Sequence, residues 1–115
     1  MINSYFTNNT ANRDGGAINM DSGTVSNCNF ADNKATGTNS WGGAIMFVNT
    51  GTVSNCNFTG NKATRNGGAV YFNREGAVTN CNFTDNTATV DGGAIYFLDQ
   101  GTVTNCNLSF DWKCQ

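Results

Sequence analysis

Apolar residues recur in this chain as columns of a repeat, with no helical stripe. After each Gly-Gly-Ala, at 15, 42, 67 and 92, the next three positions read Ile18, Ile45, Val70, Ile95, then Asn19, Met46, Tyr71, Tyr96, then Met20, Phe47, Phe72, Phe97. The outer two columns are apolar and the middle one varies, which predicts a short strand with alternate residues inward. A second strand follows, with Val25, Val53, Val78 and Val103 inward. Its outer face carries Thr24, Thr52, Ala77, Thr102 and Ser26, Ser54, Thr79, Thr104. The next Cys and Phe stand an odd number of positions from that Val, so a bend must reset the phase. Asn27, Asn55, Asn80 and Asn105 hold the bend, and Asn tolerates left-handed backbone better than any residue but Gly. A third strand then turns Cys28, Cys56, Cys81 and Cys106 inward, together with Phe30, Phe58 and Phe83.

The unit recurs at steps of 27, 25 and 25 residues counted on Gly-Gly-Ala, and 28, 25 and 25 counted on the cysteines. Phe-x-x-Asn closes each of the first three units at Phe30/Asn33, Phe58/Asn61 and Phe83/Asn86, and Phe6/Asn9 shows that the chain opens in mid-repeat. Leucine-rich repeats share the period but need several Leu per unit, and only Leu98 and Leu108 occur. Three short strands per unit with Gly and Asn punctuation predict an all-β solenoid, a parallel β-helix of about four coils of about 25 residues. The expected organisation is a β-helix over 1–108, with a partial coil at 1–14 and coils starting at Gly15, Gly42, Gly67 and Gly92, then an irregular tail at 109–115. Stacked coils lay like residues over one another at about 4.8 Å. The Cys, Phe and bend-Asn columns are therefore expected to be structural ladders, the Asn joined amide to amide.

Composition agrees: 20 Asn, 15 Thr and 14 Gly supply 49 of 115 residues, all poor helix formers. The absence of His excludes a Ser/His/Asp triad, a Cys/His pair and His-ligated zinc or haem. With only six Lys or Arg, scattered along the chain, and a formal charge of −2, no basic stripe exists to follow nucleic acid. The longest apolar runs, Ala44 to Val48 and Ala94 to Leu98, are five residues, far below the roughly 18 of a membrane span. No signal peptide is read at the start of the chain.

Four Gly-Gly-Ala-Ile/Val and four Phe-x-x-Asn in fixed alternation over residues 2–108 resemble the repeats of chlamydial polymorphic outer-membrane proteins. They are also similar to repeats of adhesin-like surface proteins of methanogenic archaea. The resemblance implies a right-handed β-helix, exposed on the cell surface or secreted, serving as stalk or adhesin. Its partners would be host or neighbouring-cell surface proteins or glycans. In the chlamydial family a membrane β-barrel follows such passengers, so this chain is expected to be a fragment or truncated product.

Candidate chemistry is sparse. The four stacked cysteines are expected to remain buried thiols, with one or two disulfides as the alternative, since a rung spacing of about 4.8 Å lies inside the disulfide window. A linear column offers no tetrahedral set, so neither metal nor cofactor is expected. Cys114, outside the repeat, is the thiol that would dimerise the chain. Asp32 and Asp85 share a column interrupted by Gly60, and Asp14 and Asp91 one interrupted by Trp41 and Asn66. Neither pair looks like the acid and base of a polysaccharide lyase or hydrolase, and no catalysis is expected. The alternatives are a fragment of a carbohydrate-active β-helix of the polysaccharide lyase or hydrolase kind, and an ice-binding face on the second strand's Thr and Ser grid. The loop from Phe30 to Gly42 is longer than its counterparts, so Trp41 and Asn39 are the candidate ligand contacts, with Trp41 folded over the neighbouring coil as the structural alternative. Asn8, Asn57, Asn82 and Asn107 begin Asn-x-Ser/Thr sequons. Uncapped terminal coils predict end-to-end self-association or continuation into further coils.

Overall fold

The computed structural model describes residues 1–109. The chain opens with β1 (Tyr5–Thr7) and β2 (Thr10–Ala11). It then winds through β3 (Ile18–Met20), β4 (Gly23–Ser26), β5 (Asn29–Ala31) and β6 (Lys34–Ala35). The same four strands recur as β7 (Ile45–Phe47), β8 (Gly51–Ser54), β9 (Asn57–Thr59) and β10 (Lys62–Ala63). They recur again as β11 (Val70–Phe72), β12 (Glu75–Thr79), β13 (Asn82–Thr84) and β14 (Thr87–Ala88). The last described strands are β15 (Ile95–Phe97), β16 (Gln100–Thr104) and β17 (Asn107–Ser109). Every strand pairs with its counterpart one coil away, giving the sheets β1-β5-β9-β13-β17, β14-β10-β6-β2, β15-β11-β7-β3 and β16-β12-β8-β4. All pairs are parallel and in register, Phe30 on Phe58 and Val53 on Val78 among them. This is the parallel β-helix expected, and the tail from 110, Cys114 included, lies outside the described residues.

Each complete coil among the described residues has four strands where three were expected. The fourth is the two-residue ladder Ala11, Ala35, Ala63, Ala88 with its preceding neighbours, too short to show an alternation in sequence. Its Ala side chains are small enough to close the corner between the third strand and the Gly-Gly turn, and Ala35 and Ala63 are buried there.

Three backbone bends per coil use left-handed residues. Asn27, Asn55 and Asn80 have φ 54°, and Asn105 has 53°, as the phase reset required. A second such column, Asn8, Asp32, Gly60 and Asp85 at φ 56° to 66°, turns the third strand into the fourth. The first Gly of each Gly-Gly pair is the third, at φ 65° to 70°. The second Gly answers to space: a Cβ on Gly43 would overlap the carbonyl oxygen of Gly68 in the next coil.

The core is a set of one-residue stacks. Phe6, Phe30, Phe58 and Phe83 lie ring on ring at 4.9, 4.8 and 4.8 Å, within 6° of parallel. Phe47, Phe72 and Phe97 form a second stack at 4.9 and 4.8 Å, and Val25, Val53 and Val78 are fully buried between them. The amide ladder does not run through the bend asparagines, which are exposed because the left-handed turn points their side chains outward. It runs through Asn9, Asn33, Asn61 and Asn86. The Oδ1 of Asn61 accepts the backbone and side-chain N–H of Asn33, both at 3.0 Å, while its own Nδ2 donates to Asn86 Oδ1 at 2.9 Å and to the Phe30 carbonyl at 3.1 Å. Every donor and acceptor of that buried amide is used, which removes the desolvation penalty that would otherwise exclude it from the core. An outer ladder joins Asn82 to Asn57 at 3.0 Å and Asn57 to Asn29 at 2.8 Å.

Candidate functional site

The loop that carries Trp41 and Asn39 runs from Thr36 to Trp41, six residues where the next coil has three, Thr64 to Asn66. It is pinned onto that next coil. The Thr64 hydroxyl donates to the Gly37 carbonyl and accepts the Ser40 N–H at 3.2 Å. The Arg65 N–H donates to the Ser40 carbonyl at 3.0 Å, and its guanidinium donates to Asn39 Oδ1 at 3.0 Å. Trp41 lies over Tyr71 with ring centroids 5.2 Å apart and 15° between planes, and Tyr71 stacks on Tyr96 at 5.4 Å. The indole thus continues an external aromatic ladder begun by the varied middle column of the first strand. Trp41 Nε1 is buried without a hydrogen-bond partner, alone among the buried side-chain nitrogen and oxygen atoms of the described residues. Burial raises the Tyr71 pKa above its usual 10.0, with the charges of Tyr96 and Asp14 adding and Arg65 opposing.

The acidic residues serve turns. Asp32 and Asp85 sit in the left-handed column of the second bend, and Gly60 fits between them because that column selects for backbone, not for acidity. Asp14 accepts the Trp41 backbone N–H at 3.0 Å, and Asn66 accepts that of Asp91 at 3.1 Å, so this column ties each coil to the next. Among the described residues no three His, Cys, Asp or Glu converge where they could hold a metal ion.

Cys28, Cys56, Cys81 and Cys106 are free thiols, the first three buried and the last half-buried. Each Sγ donates to the carbonyl two residues back: Ser26, Ser54 and Thr79 at 3.2 Å, Thr104 at 3.3 Å. The Cys28 N–H points at Cys56 Sγ and the Cys56 N–H at Cys81 Sγ, both at 3.5 Å. The column therefore holds thiols, as in-register Cβ atoms pointing the same way predict. The neighbouring Cys81 thiol pulls Cys56 down to about 7 despite its burial. The same pairing, and burial after it, pushes Cys81 up. A second thiolate beside the first would repel it in a dry core, so the pair ionises once.

Outside the β4, β8, β12 sheet lies a shallow depression of about 350 Å³, lined by Thr24, Thr50, Thr52 and Glu75 among others. The outward Thr column was legible in sequence. Thr50 was not, because it belongs to the variable turn before the second strand, and Glu75 was not, because β12 starts one residue earlier than β4 and β8.

A family model described as right handed beta helix region matches residues 1–111. The chain belongs to that family. No curated protein and no solved structure matches it. Right-handedness and the solenoid architecture therefore hold for nearly the full length of this β-helix.

Proposed function

We propose that this β-helix is a non-catalytic segment of a cell-surface or secreted protein, serving as a structural stalk. The observation that carries the reading is that residues with chemical potential are taken up by coil-to-coil contacts or bends. Trp41 is stacked, Asn39 is held by Arg65, Asp14 caps the Trp41 N–H, and Asp32 and Asp85 turn the chain. The likeness of the Gly-Gly-Ala-Ile and Phe-x-x-Asn repeats to chlamydial outer-membrane proteins and methanogen adhesin-like proteins supports the cell-surface placement. Further coils of the same kind are the natural neighbours of its ends. Adhesion to a surface protein or glycan is the second reading, favoured by the depression at Thr24, Thr52 and Glu75.

Two variants separate the two: residues 36–41 replaced by the three-residue Thr-Arg-Asn turn of the next coil, and Thr24, Thr52 and Glu75, which line the depression, each replaced by Ala. The stalk reading predicts unchanged far-UV circular dichroism and unchanged binding to cells and glycan arrays. Binding that is present in the native chain and lost in a variant with intact circular dichroism would overturn it in favour of adhesion.

A further inference from the structure

The thiol column is a site of unusual geometry. The Phe30, Phe58 and Phe83 rings, two residues along the same strands, repeat at 4.8 Å, and the cysteines share one side-chain orientation because each Sγ meets the carbonyl two residues back. Neighbouring sulfurs therefore repeat at the same rise. That spacing is far too long for a disulfide, whose sulfurs lie about 2.05 Å apart. It is of the size spanned by a metal ion bound linearly between two thiolates, since two metal–sulfur bonds of the length known for zinc, about 2.3 Å, reach about 4.6 Å in line. The line joining the sulfurs follows the helix axis while each Cβ–Sγ bond points across it, so the angle at sulfur suits a metal on one side. A metal on both sides would force a collinear bridge, which limits the column to one ion per pair.

We propose that Cys28 with Cys56, and Cys81 with Cys106, form two linear sites for soft monovalent cations of the copper(I) and silver(I) class. Soft sulfur donors select such ions over the hard cations that bind oxygen, and the buried cluster that includes the thiols is otherwise Ile, Val, Phe and Ala, with no oxygen side chain to compete. Zinc is disfavoured because the donors are strung along a line and no tetrahedral set converges. Each binding event exchanges two S–H protons for one cation, M⁺ + 2 RSH → [M(SR)₂]⁻ + 2 H⁺, with no change of oxidation state. The single negative charge left at each site meets a backbone N–H: that of Cys28 at Cys56 Sγ and that of Cys56 at Cys81 Sγ. Half-buried Cys106 is the most accessible thiol of the four.

Silver(I) is the probe. The reduced full chain carrying Cys114→Ser, so that only the column is counted, is titrated, desalted and assayed for silver per chain, with far-UV circular dichroism recorded throughout. The expected result is saturation at two ions per folded chain, with two sulfur neighbours and no nitrogen or oxygen by X-ray absorption. Cys106→Ser, at the half-buried end where a small polar side chain is tolerated, should halve the uptake to one ion. Failure of the folded chain to retain silver, uptake unchanged in Cys106→Ser, or uptake only with loss of the strand spectrum would each overturn the proposal.

Discussion

Asn61 shows how this molecule uses a polar side chain. Its amide is fully buried and fully bonded, joining three coils through Asn33, Asn86 and the Phe30 carbonyl. Removing it strands a buried N–H pair on Asn33 and an acceptor on Phe30, each left without water. Asn61→Ala should therefore lower stability by about 3 kcal/mol in urea unfolding, more than a typical point substitution. Asn82→Ala, in the exposed outer ladder, should change it by less than about 0.5 kcal/mol, because solvent replaces its lost bond. Equal effects of the two would show that the inner ladder is not special. Sequence reasoning placed the Asn ladder at the wrong column because it could see that Asn27, Asn55, Asn80 and Asn105 repeat but not which way each side chain points. Left-handed backbone turned those amides out and left the Phe-x-x-Asn amides in.

At the scale of elements, strands with alternating columns were legible and the corner was not. Val25, Val53 and Val78 between two hydroxyl columns announce a strand with one dry face. Lys34-Ala35 and Lys62-Ala63 are strands only because the coil above and below pairs with them, a fact no local pattern contains. Trp41 lies between these cases. Its loop could be recognised as an insertion, but its stacking on Tyr71 depends on the next coil offering an outward aromatic at the right height. That external ladder has a pH consequence. Tyr71 loses its proton less readily when folded, chiefly through burial, so its contribution to stability is fully present below pH 10.0 and is lost as pH rises above that value. Tyr71→Phe should flatten the alkaline fall in melting temperature, read by circular dichroism between pH 9 and 12. An unchanged slope would assign the fall to other groups.

Over the whole molecule, each coil is stabilised by the coils beside it. Val53 and Val78 are fully buried, whereas Val103 in the last described coil is 41% exposed and Leu108 44%, although all occupy repeat core columns. Stability of this kind is close to a sum of coil and interface terms, so coils should be removable as units. The same logic explains why function was far less legible than fold: nearly every recurring residue is accounted for by its own copy one coil away, and chemistry would have to reside in what does not repeat.

The most direct measurement is deletion of one complete unit, residues 67–91, which joins Asn66 to Gly92 in the register of the repeat. Thermal and urea unfolding followed by circular dichroism should show a retained strand spectrum and a single cooperative transition at a lower midpoint. Complete loss of structure on this deletion would contradict a solenoid of interchangeable coils.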